Sequence, residues 1–363
     1  MRFAGYSEEW RQMSLSHFAK KITAKNTNNA INNVICNSAQ NGLIPQLEFF
    51  DKEIANNENT AGYYIINDGD FVYNPRKSLS APYGPVNIYN YSEAGIVSPL
   101  YLCFTIKGID KKFLLYRFKS PCWYRYIYLN GDSGARHDRV SIRDEVFLSQ
   151  PVSIPSAKEQ GKIAEFLAKI EERISVQNKI ISKYESLIKG LCEHLCGNNK
   201  SRKLSDLVIC KTSLLQENEV NDKGEYPVYG ASGVIGYLDS YQFDKDAILI
   251  LKDGSKVGKV QFAAGKYSVV GTSVALIPKS AEDAKYLYFS ILTIDFDKYK
   301  VGSGIPHIYF KDYSGEKIYY PANEQRATIV KLLGGYESKL NMEKEMLSAL
   351  QRQKAFLLKS MFI

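Results

Sequence analysis

Histidine, tryptophan and methionine are scarce in this chain, with four, two and five among 363 residues. No apolar run reaches the roughly 18 residues that a membrane-spanning helix needs. Met1 is followed at once by polar and charged residues with no leader-like pattern, so a cytoplasmic protein without a membrane partner is expected. The histidines, His17, His137, His194 and His307, lie far apart and outside any serine-elbow or cysteine-dyad context, which leaves nucleophilic catalysis without a candidate site. Six cysteines are scattered, and a reducing compartment predicts free thiols. Cys192 and Cys196, with His194 between them, have no second ligand pair at a zinc-like spacing, so no metal site is expected.

What is present is an ordinary globular composition, 45% hydrophobic and 24% charged, with a net charge of +8. The positive excess is spread along the chain and forms no basic tail. Any nucleic-acid binding must then come from shaped local patches, not bulk attraction.

The dominant pattern is a duplication. Shifted by 166 residues, Val152-Ser153-Ile154-Pro155 falls on Ile318-Tyr319-Tyr320-Pro321, and Ile163 to Leu167 falls on Ile329 to Leu333. Apolar residues then recur at alternating spacings of four and three. The first copy reads Ile163, Leu167, Ile170, Ile174, Gln177, Ile181, Tyr184, Ile188, Leu191 and Leu195. The second reads Ile329, Leu333, Tyr336, Leu340, Glu343, Leu347, Leu350, Lys354, Leu357 and Met361. This is a coiled-coil seam, with one polar rung, Gln177 or Glu343, at the same place in each copy. Ser156 with Glu159 forms a capping box after Pro155, and Asn323 after Pro321 is suited to cap the second helix. Two helices of about 39 residues, each about 58 Å long, are expected to pack antiparallel. Aligning the seams end to end sets the polar rungs in neighbouring layers, where either Gln177 donates a hydrogen bond to the Glu343 carboxylate or both share a water or a nearby lysine such as Lys179 or Lys344.

The intervening segments also repeat. Leu15-Ser16-His17-Phe18 is answered by Leu204-Ser205-Asp206-Leu207, Asp70 to Tyr73 by Asp246 to Ile250, and Ser133 to His137 by Ser303 to His307. Short strands are expected at Tyr63 to Ile66 and Phe71 to Tyr73, a further strand at Ile96 to Ile106, and an aromatic helix at Lys111 to Ile127. The chain divides into residues 1–151, a central helix 152–198, residues 199–320, and a C-terminal helix 321–363.

Over nearly its full length the chain resembles the DNA-specificity (S) subunit of type I restriction–modification systems. The residues that carry the resemblance are Arg2 to Tyr6 with Glu9-Trp10, Gly69 to Pro75, Val97 to Tyr101, Tyr226 to Tyr237, Lys252 to Ser255 with Val257 to Val260, and Glu-Gln opening each long helix at Glu159-Gln160 and Glu324-Gln325. The resemblance implies an α+β protein in which two pseudo-repeated α/β target-recognition domains, 1–151 and 199–320, are separated by a two-helix antiparallel coiled coil. It implies that each domain reads one half of a split double-stranded DNA target, and that methyltransferase (M) subunits dock on the helices and a restriction (R) subunit joins them. No cofactor is expected in this chain, while the partner methyltransferase is expected to use S-adenosylmethionine.

For base and phosphate contacts the candidates in the first domain are Asn74, Arg76, Lys77 and Tyr83, with Arg136, His137 and Arg139. In the second they are Tyr229, Ser232, Lys252, Ser255, Lys256, Lys259 and His307. Arginine suits guanine edges and asparagine adenine, while lysines hold phosphates. Two lookalikes fail on detail: Gly254 to Lys259 has three residues between its glycines where a phosphate loop has four, and Arg76-Lys77 stands where an amino-methyltransferase motif needs an aromatic residue. The rival readings are a self-contained methyltransferase or nuclease, and a coiled-coil adaptor that binds protein.

Overall fold

The computed structural model describes residues 2–46, 60–132, 137–199, 201–302 and 304–362. The chain forms two compact units, one of residues 1–176 with 347–363 and the other of residues 177–346. Each unit thus takes part of both long helices, Ala157–Cys196 and Asn323–Met361.

In the first unit, Arg11–Ser14 pairs antiparallel with Pro151–Ile154. A four-stranded antiparallel sheet runs in the order Ala19–Lys21, Leu102–Ile106, Phe71–Tyr73, Val86–Ile88. Helix Lys111–Lys119 follows it in sequence, and Phe71, Phe104, Leu114, Phe118, Trp123 and Phe147 fill the core between them.

The second unit repeats that frame. Arg202–Lys203 pairs with Lys317–Ile318, and the four-stranded sheet runs Val208–Thr212, Ser273–Pro278, Ala247–Leu251, Val260–Ala263, again antiparallel and in the same order. Even the anchor of the first short helix is kept: the Leu15 N–H donates to Gln150 O at 2.9 Å, and the Leu204 N–H to Glu316 O at 2.8 Å. What diverges is the smaller sheetwork. The first unit has a hairpin, Ile35–Ser38 with Gly42–Pro45, and a pair, Tyr64–Ile66 with Gly95–Val97. The second has a three-stranded sheet, Gly233–Leu238, Tyr226–Gly230 and Ser268–Val269.

Two expected elements are broken, each at a proline. The helix expected over Lys111 to Ile127 stops at Lys119, because Ser120 precedes Pro121 and is extended (φ −90°, ψ 162°). Its hydroxyl instead caps a short turn at Pro121–Trp123, and a second helix runs Tyr124–Asn130. The strand expected over Ile96 to Ile106 is two strands in different sheets, Gly95–Val97 and Leu102–Ile106, with Pro99 in the turn between.

Along the long helices the seam is apolar and buried at Ile163, Leu167, Ile170, Ile181 and Ile188, and at Ile329, Leu333, Leu340, Leu350, Leu357 and Met361. Ile174, Tyr184, Tyr336 and Leu347 are half-buried. In the first unit Ile163, Leu167 and Ile170 pack with Leu357 and Met361 and with Phe113 and Tyr116 of helix Lys111–Lys119. In the second, Gln177 Nε2 donates to Glu343 O at 3.1 Å and to the Glu343 carboxylate, so of the arrangements expected for the polar rungs the direct bond is the one formed. Near the end of the first helix the buried stripe leaves Leu191 and Leu195, both half-buried, and passes to Cys192 and Cys196, both fully buried. A straight helix drifts relative to a strict heptad, and here Cys196 turns toward Ser290 and Tyr286 of the second domain.

The helix starts also differ from expectation. Ser156 Oγ accepts from the Glu159 N–H at 3.4 Å, but the Glu159 carboxylate takes both forks of Arg2 at 2.7 Å instead of closing the capping box. Asn323 is the first helical residue, and Ala322 O accepts the first amides, from Gln325 and Arg326.

The polar rung carries a stability prediction. Gln177→Leu alone should destabilise the second unit by about 1 kcal/mol by stranding part of Glu343, whereas the double change Gln177→Leu with Glu343→Leu should raise its melting temperature. A double-mutant cycle by thermal melting measures this, and additive single effects would show that the bond does not couple the helices.

Candidate nucleic-acid interface

In both units the loop that follows the innermost sheet strand is laced by backbone hydrogen bonds to the segment that precedes the last short helix. In the first unit the Lys77 N–H donates to Asp138 O at 2.8 Å and the Val140 N–H to Pro75 O at 2.9 Å, with Arg76 directly opposite Arg139. In the second, the Gly254 N–H donates to Pro306 O at 3.0 Å and the Ile308 N–H to Lys252 O at 2.9 Å, with Asp253 opposite His307. Loop residues far apart in sequence are thereby held as one surface in each unit.

In the first unit this surface borders a cleft of about 490 Å³ lined by Asn37, Ser38, Gln40, Arg76, Lys77, Tyr101 and Arg139 among others. Arg76 is exposed, and the Arg139 Nε is buried 3.9 Å from Asp138 Oδ2, too far for a hydrogen bond. Among the described residues the Arg76 guanidinium thus has no side-chain partner, and Arg139 has only this long ion pair. Asn74 also lines this cleft, but its amide is already engaged: its Oδ1 accepts from the Arg76 N–H at 3.0 Å and its Nδ2 donates to Asn37 O at 3.1 Å, which shapes the loop. Tyr83 leaves the group, because its ring packs on Tyr124 at 5.0 Å against the core. His137 is exposed, and Arg136 lies outside the described residues. Burial pushes the Cys36 thiol and the Tyr101 phenol up, so both are neutral at pH 7.

In the second unit, Gly254 (φ +100°) and Gly258 (φ +89°) turn the loop so that Val257 is buried beneath while Ser255 and Lys256 face out. Lys252 is paired with the neighbouring Asp253 carboxylate. Lys259 Nζ donates to Ala231 O at 2.9 Å, which ties the loop to the hairpin turn where Ser232 is exposed. Burial lowers the Lys259 pKa, helped by the positive charges of Lys256 and Lys344. His307 stands beside Tyr309, ring centroids 5.0 Å apart. Tyr229 does not join them: it meets Tyr267 edge-on at 5.8 Å and packs on the buried cluster around Leu249.

The hairpin tip Asn37 to Gln40 and Tyr101 are cleft residues that sequence reasoning did not single out. Tyr101 lay inside the Val97 to Tyr101 motif, which was a usable signal. The hairpin tip carried none, since only the fold brings it beside Arg76.

A family model described as type I restriction modification DNA specificity domain matches residues 7–186 and 197–352. A curated relative, the type I restriction enzyme MjaVIII specificity subunit of Methanocaldococcus jannaschii, is 30% identical over 122 residues, which span 33% of this chain and 28% of the relative. Among solved structures, the S subunit of a type I restriction–modification system from M. genitalium is similar over 99% of this chain and 97% of its own, at 17% identity and a TM-score of 0.57. A chain from a structure concerned with complex assembly and conformational transition of the type I R-M system is similar over 98% of both chains, at 13% identity and a TM-score of 0.58. At these identities the two structures show a shared fold.

Proposed function

The chain belongs to the type I restriction–modification DNA specificity family, and from that membership we propose that it is the non-catalytic subunit that reads a bipartite double-stranded DNA target for separate M and R subunits. The observation that carries the reading is the duplicated lacing of loops: two copies of one frame present different side chains, Arg76, Lys77 and Arg139 in one and Ser232, Ser255, Lys256 and His307 in the other. A rigid scaffold with divergent loops suits two readers of two half-sites. The methyl donor, S-adenosylmethionine, belongs to the M subunit in this reading, and the long helices are where M subunits dock.

Sequencing DNA methylated by the chain reconstituted with its methyltransferase tests this. Two half-sites at a fixed spacing are expected. Methylation or cleavage by the purified chain alone would favour an enzyme, and loss of all DNA binding even with the methyltransferase present would favour a protein adaptor. Within that assay, Arg76→Ala should relax one base position at a cost of about 1–3 kcal/mol, as a base contact does. Lys256→Ala should weaken all sequences alike and reduce the salt slope by about one, as a phosphate contact does. Parental affinity across a salt series would remove either residue from the interface.

A further inference from the structure

The two units share a feature that neither the loops nor the seam explains. The register shift of 166 residues that superposes the long helices places Glu171 on Glu337, and each carboxylate gathers donors from the recognition domain of its own unit. Glu171 accepts from the Tyr116 hydroxyl at 2.8 Å and from Lys119 at 2.9 Å, both on helix Lys111–Lys119, and from Lys354 of the other long helix at 2.6 Å. Glu337 accepts from Lys285 at 2.6 Å and from the Tyr288 hydroxyl, both on helix Ala284–Ile291.

The donors do not correspond. The buried positions 113, 114, 116, 117 and 118 of the first domain helix match 286, 287, 289, 290 and 291 of the second. That register sets Tyr116 against Phe289 and Tyr288 against Leu115, and it leaves Lys119 opposite Leu292. The carboxylate has kept its place through the duplication while a phenol and an ammonium reach it from different positions on the facing helix. Simple inheritance of a contact does not produce that pattern. A requirement for the joint does.

We propose that Glu171 and Glu337 are positioning residues that fix how each recognition domain is seated on its long helix, and thereby hold the spacing between the half-sites to one value. The inference rests on the bipartite-reader function above. Each carboxylate is partly shielded, with 31% and 20% of its side chain exposed. Burial opposes the charged form of Glu171, but Lys119 and Lys354 more than offset it and bring its pKa to about 2. The Glu171 carboxylate therefore stays ionised across the physiological range. Adding one base pair to a spacer moves a half-site by about 3.4 Å and about 35°. A domain about 30 Å across that rocks by about 7° moves its far side by a similar distance, so a loosened seat becomes legible as spacer tolerance.

The test compares Glu337→Lys, the charge swap Glu337→Lys with Lys285→Glu, Glu171→Gln, and a control, Lys169→Gln, which breaks an exposed pair on the same helix as Glu171. The readouts are sequencing of DNA methylated by each reconstituted complex and amide exchange of helices 111–119 and 284–291 in the chain itself. Glu337→Lys and Glu171→Gln should raise methylation at spacers one base pair off by about tenfold with the half-site bases unchanged, and exchange should quicken about tenfold in the helix facing each lost carboxylate. The swap should restore both readouts, and the control should match the parent. Unchanged spacer selectivity, or altered half-site bases, overturns the proposal. A parent without a bipartite target overturns the function instead; amide exchange then still decides the seating, and protection that does not change in the variants ends that as well.

Discussion

Replacing Gly84 by alanine should abolish reading of the first half-site and lower methylation of the full target by about a hundredfold or more, with the second unit still folded. Gly84 has φ +84°, and a Cβ there would stand 2.0 Å from the Asn74 carbonyl oxygen and 3.1 Å from the Asn74 and Pro75 carbonyl carbons. All three are backbone atoms, so no side chain can swing aside. The left-handed strain costs about 1–2 kcal/mol and the overlap about 1–3 kcal/mol more. The Asn74 N–H donates to Pro85 O at 3.0 Å, so the displaced strand end is the one that carries Arg76 and Lys77. Gly254→Ala is the contrast: its φ is +100°, but nothing lies within 4 Å of the added Cβ. That variant should bear the strain alone and keep most of its activity. Methylation kinetics with a thermal melt of each variant would separate the two, and parental activity in a folded Gly84→Ala chain would detach the 74–85 loop from recognition.

The duplication and the heptad stripes were legible because both are periodic, and periodicity survives divergence of the loops. The hydrogen bond between Gln177 and Glu343 was legible for the same reason, since a polar residue in an apolar ladder needs a partner. What could not be read was direction. Asn74, Tyr83 and Tyr229 carry side chains suited to bases, yet the Asn74 amide is engaged by its own loop and by Asn37 O of the hairpin, and the two tyrosine rings pack on aromatic neighbours. A residue type states what a side chain is able to bind, and only the fold states which bonds are already made. The broken helix at Ser120 was in principle readable from Pro121, but the density of aromatic residues from Phe113 to Ile127 masked it. The passage of the seam from Leu191 and Leu195 to Cys192 and Cys196 depended on a helix 90 residues further along the chain.

Arg117→Met should lower the stability of the first unit by about 2–4 kcal/mol, the cost of leaving two acceptors without a donor. Arg117 is 5% exposed and has no carboxylate partner among the described contacts. Its Nη1 donates to Gln150 Oε1 at 3.0 Å and its Nη2 to Pro151 O at 2.5 Å, while Gln150, itself fully buried, passes a hydrogen bond on to Phe147 O at 3.0 Å. These bonds pin the chain where it leaves the recognition domain for strand Pro151–Ile154 and the long helix. Two effects oppose each other in the variant. Methionine removes the desolvation of a guanidinium, which burial already drives toward a lower pKa, but it strands the Gln150 amide oxygen and the Pro151 carbonyl. The stranded acceptors should win, because arginine is weakly hydrated and its burial is correspondingly cheap to keep. Arg117→Lys should not rescue, since one ammonium cannot span two acceptors set for a planar fork and is readily neutralised by burial. With two units, urea unfolding should show two transitions, of which only the first unit's moves, by about 1–2 M for an m-value near 2 kcal/mol/M. A methionine variant as stable as the parent would mean that the desolvation of Arg117 cancels its hydrogen bonds, and that Gln150 and Pro151 are held by the surrounding packing alone.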